Sequence, residues 1–276
     1  MVFLKQYGER RTGTNYLRAL LTANYCNAVP LMHVLGDKHS PPVALDELWQ
    51  MVRDQPDAAW RLVTTATFCA PGESTRLDDP QQLAHMRALA DPITEAVASG
   101  RLAFVLSTKH PFPWVASLAK FRSWLLPTTG GACMNPKFFG RLIEACRMFN
   151  YRHQSWLNHL SRYSSRSAIV RHEDLLADPY SVLRALASRF GLAQAAPELK
   201  SPPMKVLPSN WDLEPPGFGV RAFDAEFYKR RDYASQLNPD LWEIVARQFD
   251  WSLMNRLGYA ADGGSRPDWD HSHMKG

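Results

Sequence analysis

The sequence is poor in cysteine and has no long apolar run. Its four cysteines lie far apart, with no CxxC pair and no cysteine–histidine spacing typical of metal ligands, so we expect free thiols and no bound metal. No apolar run approaches the roughly 20 residues that span a bilayer. Residues 1–7 are too short and too polar for a signal peptide. We therefore expect a cytoplasmic protein without a membrane span.

Neither sign of charge dominates the sequence. The chain has 32 Lys and Arg against 27 Asp and Glu, a net charge of +5, with no dense basic run and no known nucleic-acid-binding motif. This small excess suits an anionic partner such as a nucleotide, and we expect no nucleic acid partner. The 276 residues, 45% of them hydrophobic, predict one domain over 1–260 with a polar tail over 261–276. The sequence does not indicate an oligomeric state.

Strand and helix patterns alternate along the chain. Residues 2–7 are typical of a strand, 8–15 of a glycine loop, and 16–21 of the start of a helix. Residues 102–107 form an apolar run of strand length, and a helix is predicted from Pro113. The pattern predicts a single α/β domain of P-loop type, a parallel sheet flanked by helices, with ligands at the carboxyl ends of the strands. Further predictions are strands at 61–68 and 167–171, helices at 80–99, 138–160, 179–190 and 241–257, and loops at 128–131 and 200–219.

The segment Gly8–Asn15 carries the strongest functional signal. It reads Gly-Glu-Arg-Arg-Thr-Gly-Thr-Asn, with four residues between the glycines as in a phosphate loop. Backbone N–H groups at a helix N-terminus make an anion cradle, to which this segment adds arginine, threonine and asparagine side chains. The Lys-Ser/Thr pair that serves β- and γ-phosphates and Mg²⁺ is absent, which argues against an ordinary ATPase or GTPase. The simpler alternative is a strand–turn–helix with surface arginines.

Residues 11–17, Arg-Thr-Gly-Thr-Asn-Tyr-Leu, resemble the 5'-phosphosulfate loop of sulfotransferases that use 3'-phosphoadenosine 5'-phosphosulfate (PAPS). In that family a later strand ends in Arg, then Asn/Asp-Pro follows, and a Ser lies eight positions after the Arg; the Arg and the Ser hold the 3'-phosphate. Here Lys109 stands at the Arg position, Pro111 is present, and Ser117 lies eight residues after Lys109. Lysine keeps the charge but loses the bidentate geometry of arginine.

Two later segments extend the resemblance. Residues 169–179 resemble the strand-end Tyr-Glu-Asp-Leu segment of the family, in which Glu173 and Asp174 are expected to cap and pack rather than to react. Residues 227–233 resemble the basic loop that closes over the nucleotide, so Arg230 and Arg231 are candidates for nucleotide contacts. A solvated basic turn is the alternative there.

The resemblance implies an enzyme that moves a sulfuryl group from PAPS to a hydroxyl or amine of an acceptor, with a glycan or small molecule favoured, and without a metal. It assigns the nucleotide to the loop and to the segment after the later strand. The candidate nucleotide-binding residues are Arg10, Arg11, Thr12, Gly13, Thr14, Asn15, Tyr16, Lys109, Ser117, Arg230 and Arg231.

The general base is predicted in the polar turn at residues 36–41. His39 titrates near neutral pH and suits proton abstraction, and Lys38 can act on the sulfuryl oxygens or the leaving group. Bacterial members of the family often carry a Lys-His pair soon after the first helix, which agrees. With Arg11 these two residues are the catalytic candidates, and Glu9 is the rival base. Two other functions stay open: a small-molecule kinase with a variant P-loop, and a catalytically inactive nucleotide-binding relative.

Overall fold

The computed structural model describes residues 1–31, 38–42, 95–96, 99–128, 131–200 and 239–260. The predicted strand at 61–68, the loop at 200–219 and the tail from 261 lie outside the described residues, apart from Lys200. The same holds for most of the predicted helix at 80–99 and for the candidates Arg230 and Arg231.

Within the described residues, four strands form one sheet in the order β2–β1–β3–β6, and all neighbours are parallel. They are β1 (Val2–Gly8), β2 (Ala28–Leu31), β3 (Leu102–Thr108) and β6 (Ser167–Arg171). Every residue of β1 and β3 is buried, as expected for central strands of a parallel sheet covered on both faces. The prediction of an α/β fold with a parallel sheet flanked by helices is confirmed.

The other elements surround this sheet. The helices within the described residues are α1 (Thr14–Asn24), α2 (Pro111–Phe121), α3 (Phe139–Ser161), α4 (His172–Ala177), α5 (Pro179–Phe190), α6 (Pro239–Ala246) and α7 (Trp251–Arg256). Strands β4 (Leu125–Thr128) and β5 (Gly131–Met134) pair as an antiparallel hairpin, where a plain loop was predicted at 128–131. None of the described helices is long and apolar enough to cross a membrane.

Helix ends follow from local chemistry. Helix α5 begins after Asp178, whose carboxylate accepts the Ser181 N–H at 3.0 Å, and ends at Gly191 in the left-handed region, as predicted. The predicted single helix at 241–257 is wrong. Asp250 accepts the Leu253 N–H at 3.1 Å and thereby starts a new helix after a break.

The two faces of the sheet differ in composition. On one face, α1 and α5 pack aliphatic side chains such as Leu17 and Leu183 against Val2 and Leu4. On the other face, α2 and α3 pack an aromatic cluster against β1 and β3; its members include Phe3, Tyr7, Phe104, Trp114, Phe149 and Trp156. The alternation along β1 places successive residues on opposite faces.

Candidate functional site

The carboxyl ends of three strands meet at one edge of the sheet. Gly8 at the end of β1 lies in register with Ser107, and Thr108 at the end of β3 lies in register with Arg171 of β6. From β1 the chain goes to β2 on one side and later to β3 on the other. The gap between β1 and β3 is therefore a topological switch point, where open α/β sheets bind ligands.

The loop between β1 and α1 is tightly built. A Cβ on Gly8 would lie 2.4 Å from the Ser107 carbonyl oxygen, so only glycine allows the two strand ends to approach this closely. Gly13 has φ 81, and a Cβ there would lie 2.4 Å from Nδ1 of His172. Arg11 has φ 71, an uncommon value for a residue with a side chain.

Internal hydrogen bonds hold this loop in place. The Thr12 hydroxyl donates to the Glu9 carbonyl oxygen at 2.7 Å, so in this conformation it stabilises the loop itself. The Trp114 indole N–H, from α2, donates to the Arg10 carbonyl oxygen at 2.9 Å. The loop is thus fixed both locally and to the neighbouring helix.

The turn at residues 38–39 packs directly onto the loop. The Gly8 N–H donates to the Lys38 carbonyl oxygen at 2.9 Å, and the Lys38 ammonium donates to Oδ1 of Asn15 at 2.6 Å. His39 Nδ1 lies 2.5 Å from the Gly8 carbonyl oxygen. Because a carbonyl oxygen only accepts, Nδ1 of His39 donates its proton to Gly8. All three catalytic candidates, Arg11, Lys38 and His39, thus belong to the loop or contact it.

Glu9, the rival base, points into the protein. Its side chain is 4% exposed, and its carboxylate pairs with Arg152 of α3 at 2.8 Å. It also accepts the Arg10 N–H at 3.3 Å. Burial raises the pKa of Glu9, and the positive charge of Arg152 opposes this rise. The pair ties the start of the loop to α3.

Lys109 is enclosed rather than exposed. It is 1% exposed at the end of β3, and burial lowers its pKa to about 7, with the carboxylate of Glu173 raising it and the charge of Arg11 lowering it. Glu173 accepts the His110 N–H at 2.9 Å and the Tyr259 hydroxyl at 3.0 Å. A buried network that includes Glu173 and Tyr259 therefore surrounds Lys109.

Neighbouring side chains complete this interior. His172 is buried beside Gly13, and burial together with the charges of Lys109 and Arg11 holds its pKa well below the usual value. Asp174 receives two N–H bonds from Arg171, at 2.7 and 2.8 Å. The His172 ring is accordingly neutral and supports the turn at Gly13.

Ser117, from the segment that follows β3, lies next to the loop. It is half-buried on α2, and its hydroxyl accepts from Nε of Arg11 at 3.1 Å. Thr14 is buried at the start of α1, and Tyr16 packs against the aliphatic cluster. The structure thus joins the two predicted segments through Arg11 and Ser117.

Sequence reasoning missed three residues that shape the site. Arg152, Trp114 and His172 contact the loop from distant parts of the chain. The only sequence signal was the place of Trp114 and His172 just after strands β3 and β6. Within the described ranges, no group of three or more His, Cys, Asp or Glu is arranged to hold a metal.

Two sulfotransferase domains are among the solved structures that are similar to this chain. A sulfotransferase domain from the curacin biosynthetic pathway is 17% identical, with coverage of 93% of this chain and 95% of that one and a TM-score of 0.41. A sulfotransferase domain from the Synechococcus PCC 7002 olefin synthase is 16% identical, with coverage of 68% and 72% and a TM-score of 0.32. No family model and no curated protein matches the chain.

Proposed function

We propose that the chain is a sulfotransferase that uses PAPS as donor and a hydroxyl or amine of a glycan or small molecule as acceptor. One observation carries the proposal. The Lys38–His39 turn packs on the glycine loop, with Lys38 bonded to Asn15 and His39 bonded to Gly8. A cation and a base-competent imidazole therefore stand at the anion cradle whose sequence resembles a 5'-phosphosulfate loop.

The donor set fits an anionic nucleotide. The N-terminus of α1 and the side chains of Arg10, Arg11 and Asn15 supply positive charge and N–H donors at the loop. In this proposal Gly13 and Thr14 offer backbone N–H groups and Tyr16 borders the cradle. Ser117, already bonded to Arg11, receives the 3'-phosphate, and Arg230 and Arg231 close over the nucleotide.

In this proposal Lys109 does not contact the 3'-phosphate directly, although its position in the sequence implies that contact. Because it is enclosed next to Glu173, its charge acts on the nucleotide through the field inside the site and not through a bidentate contact. Arg11 interacts electrostatically with Lys109 and is bonded to Ser117, so in this proposal Arg11 makes the direct contact with the 3'-phosphate.

The reaction is an in-line sulfuryl transfer. PAPS supplies an activated sulfuryl group, and its bridging S–O bond breaks as the new bond to the acceptor oxygen or nitrogen forms. His39 takes the acceptor proton on Nε2, while its Nδ1–H bond to Gly8 keeps the ring oriented. Lys38 and Arg11 offset the charge that collects on the leaving bisphosphate.

His39 is favoured over Glu9 as the base. The Glu9 carboxylate already accepts from Arg152 and from the Arg10 N–H, so proton abstraction there would disrupt the bonds that hold the loop. His39 bonds the loop through Nδ1, and in this proposal Nε2 takes the acceptor proton.

Calorimetric titration of the full chain with adenosine 3',5'-bisphosphate, 5'-AMP and ATP with Mg²⁺ tests the proposal. We expect the bisphosphate to bind at least about tenfold more tightly than 5'-AMP, a difference of roughly 1.4 kcal/mol. Preference for ATP with Mg²⁺ would favour the small-molecule kinase and overturn the proposal. Bisphosphate binding without sulfuryl transfer to any acceptor would favour the inactive relative.

A further inference from the structure

Three arginines meet at the outer side of the loop. Arg10 and Arg11 belong to the loop, and Arg122 caps the C-terminal end of α2. The pKa of Arg122 is lowered, first by desolvation and then by the positive charge of Arg10. Among the described residues, no carboxylate forms an ion pair with any of the three. Like charges collected without a counter-ion cost free energy that a bound anion removes.

An exposed aromatic ring lies among these arginines. The Phe121 side chain is 39% exposed, and the guanidinium carbons of Arg11 and Arg122 lie 5.3 and 5.5 Å from its ring centroid. Ser117 and Phe121 are four residues apart on α2, so they share one helix face. Arg11 therefore contacts both, through its bond to the Ser117 hydroxyl and its contact with the ring.

The surrounding sequence strengthens the positive field. From residue 102 to residue 172 the chain has ten Lys and Arg but a single acidic residue, Glu144. The full chain, by contrast, is almost balanced, with 32 basic and 27 acidic residues. The charge excess is thus concentrated in the part of the chain that carries α2 and borders the loop, which raises the local concentration of anions.

We infer that Arg10, Phe121 and Arg122 form a second anion subsite beside Arg11 and Ser117, and that it receives a phosphate or sulfate monoester of a ligand. The inference rests on the proposed function in taking the Gly8–Asn15 loop as the first anion site. The 3'-phosphate of the donor is already assigned to Ser117 and Arg11, so the monoester at this second subsite is an anionic group that the acceptor carries before the transfer. A phosphate or sulfate monoester offers pairs of oxygens that a guanidinium group binds with two parallel hydrogen bonds.

The variants Arg122→Gln and Phe121→Leu test this subsite by calorimetry on the full chain. The ligands are adenosine 3',5'-bisphosphate, 5'-AMP, and galactose 6-sulfate added to protein saturated with the bisphosphate. We expect Arg122→Gln to weaken the binding of galactose 6-sulfate about tenfold and to leave the binding of the bisphosphate and of 5'-AMP unchanged. Arg184→Gln is the matched control, because Arg184 lies on α5 on the opposite face of the sheet and donates to Ser181.

The outcomes separate this inference from the proposed function. Weaker galactose 6-sulfate binding with unchanged bisphosphate binding supports the inference, whereas weaker bisphosphate binding would assign Arg122 to the donor and overturn the second subsite. If Arg122→Gln binds every ligand as the unmodified chain does, the subsite is overturned while the proposed function stands.

A separate experiment tests the subsite in case the proposed function is wrong. If the unmodified chain binds no nucleotide, inorganic pyrophosphate is titrated and its binding is followed by calorimetry. Pyrophosphate binding that is lost in Arg122→Gln supports the subsite without the proposed function. Pyrophosphate binding that is unchanged, or absent from the unmodified chain as well, overturns it.

Discussion

The segments that follow β1 and β3 have similar positions in the fold but place their cations in different environments. Each leaves the same edge of the sheet, brings a cation within a few residues of the strand end, and leads into a helix. After β1, Arg11 is exposed and in the left-handed region. After β3, Lys109 is 1% exposed and faces Glu173. Position in the fold brings a charge to the site, and packing decides whether that charge can touch a ligand.

The identity of the two cations explains this difference. A lysine can be enclosed because it can lose its proton, and burial lowers the pKa of Lys109 to about 7. An arginine stays charged under all ordinary conditions, so it belongs where water or an anion reaches it. A lysine at position 109 therefore matches the enclosed environment that the structure gives this position.

The largest expected effect separates chemistry from binding on the β1 side. His39→Asn keeps an N–H that can donate to the Gly8 carbonyl oxygen but removes the basic nitrogen. We expect the turnover number for sulfuryl transfer to fall about 10²–10⁴-fold, the usual contribution of a general base, with bisphosphate affinity unchanged. A variant that keeps most of its turnover, while Glu9→Gln loses it, would make Glu9 the base.

The next effect tests how tightly the β1 loop is built. Gly13→Ala places a Cβ 2.4 Å from His172 Nδ1 and forces a side chain onto φ 81. We expect the free energy of unfolding to drop by about 2–4 kcal/mol, from backbone strain and overpacking together, and bisphosphate binding to be lost. Urea denaturation measures the first and calorimetry the second.

Gly140→Ala is the matched control for that change. Gly140 lies in the first turn of α3, and a Cβ there would meet nothing within 4 Å. We expect this variant to be as stable as the unmodified chain or more stable by up to about 1 kcal/mol. Equal losses in the two variants would mean that the loop is not specially constrained.

Much of the fold could be predicted from the sequence because its signals are local. The apolar runs of β1 and β3, the Asp178 cap and the Gly191 stop each lie within a few residues of the element they define. Strand β2 was missed because it has four residues and contains Pro30, which the edge of a sheet tolerates. The hairpin of β4 and β5 was missed because its strands are equally short.

The site could be predicted only in part, because its supporting contacts are not local. The glycine loop and the Lys38–His39 turn were recognisable as segments. The bond from Arg152 to Glu9 joins residues 143 positions apart, and that from Trp114 to Arg10 joins residues 104 apart. No pattern within one segment encodes such pairs, and the enclosure of Lys109 depends on Glu173 and Tyr259 in the same way.

A smaller effect, seen as a pH dependence, tests the enclosure of Lys109. Its pKa is about 7 in the folded chain and near 10.5 when unfolded, so between these values the unfolded state binds more protons. Stability then rises with pH in this window, by up to about 1.4 kcal/mol per pH unit. We expect the unfolding free energy of the unmodified chain, minus that of Lys109→Met, to increase from pH 7 to pH 9.

The titration of Glu173, which interacts with Lys109, adds to the same pH-dependent difference in unfolding free energy. Burial raises the pKa of Glu173, and removal of Lys109 raises it further, so the variant loses stability with pH over a wider range. Urea denaturation of both proteins at several pH values measures the difference. A difference that does not change with pH would mean that Lys109 is hydrated and charged, like the arginines of the β1 loop.

The smallest effect concerns the point where the two segments touch. Ser117→Ala removes the acceptor of the bond from Arg11, which lies at the surface, so stability should change by less than about 0.5 kcal/mol. Bisphosphate affinity should fall about fivefold, the worth of one hydrogen bond of roughly 1 kcal/mol. Ser155→Ala on α3, whose hydroxyl donates to the Tyr151 carbonyl oxygen, is the control and should change neither. If Ser117→Ala leaves the affinity unchanged, the ligand is held by the β1 loop alone, and the β3 segment contributes charge without contact.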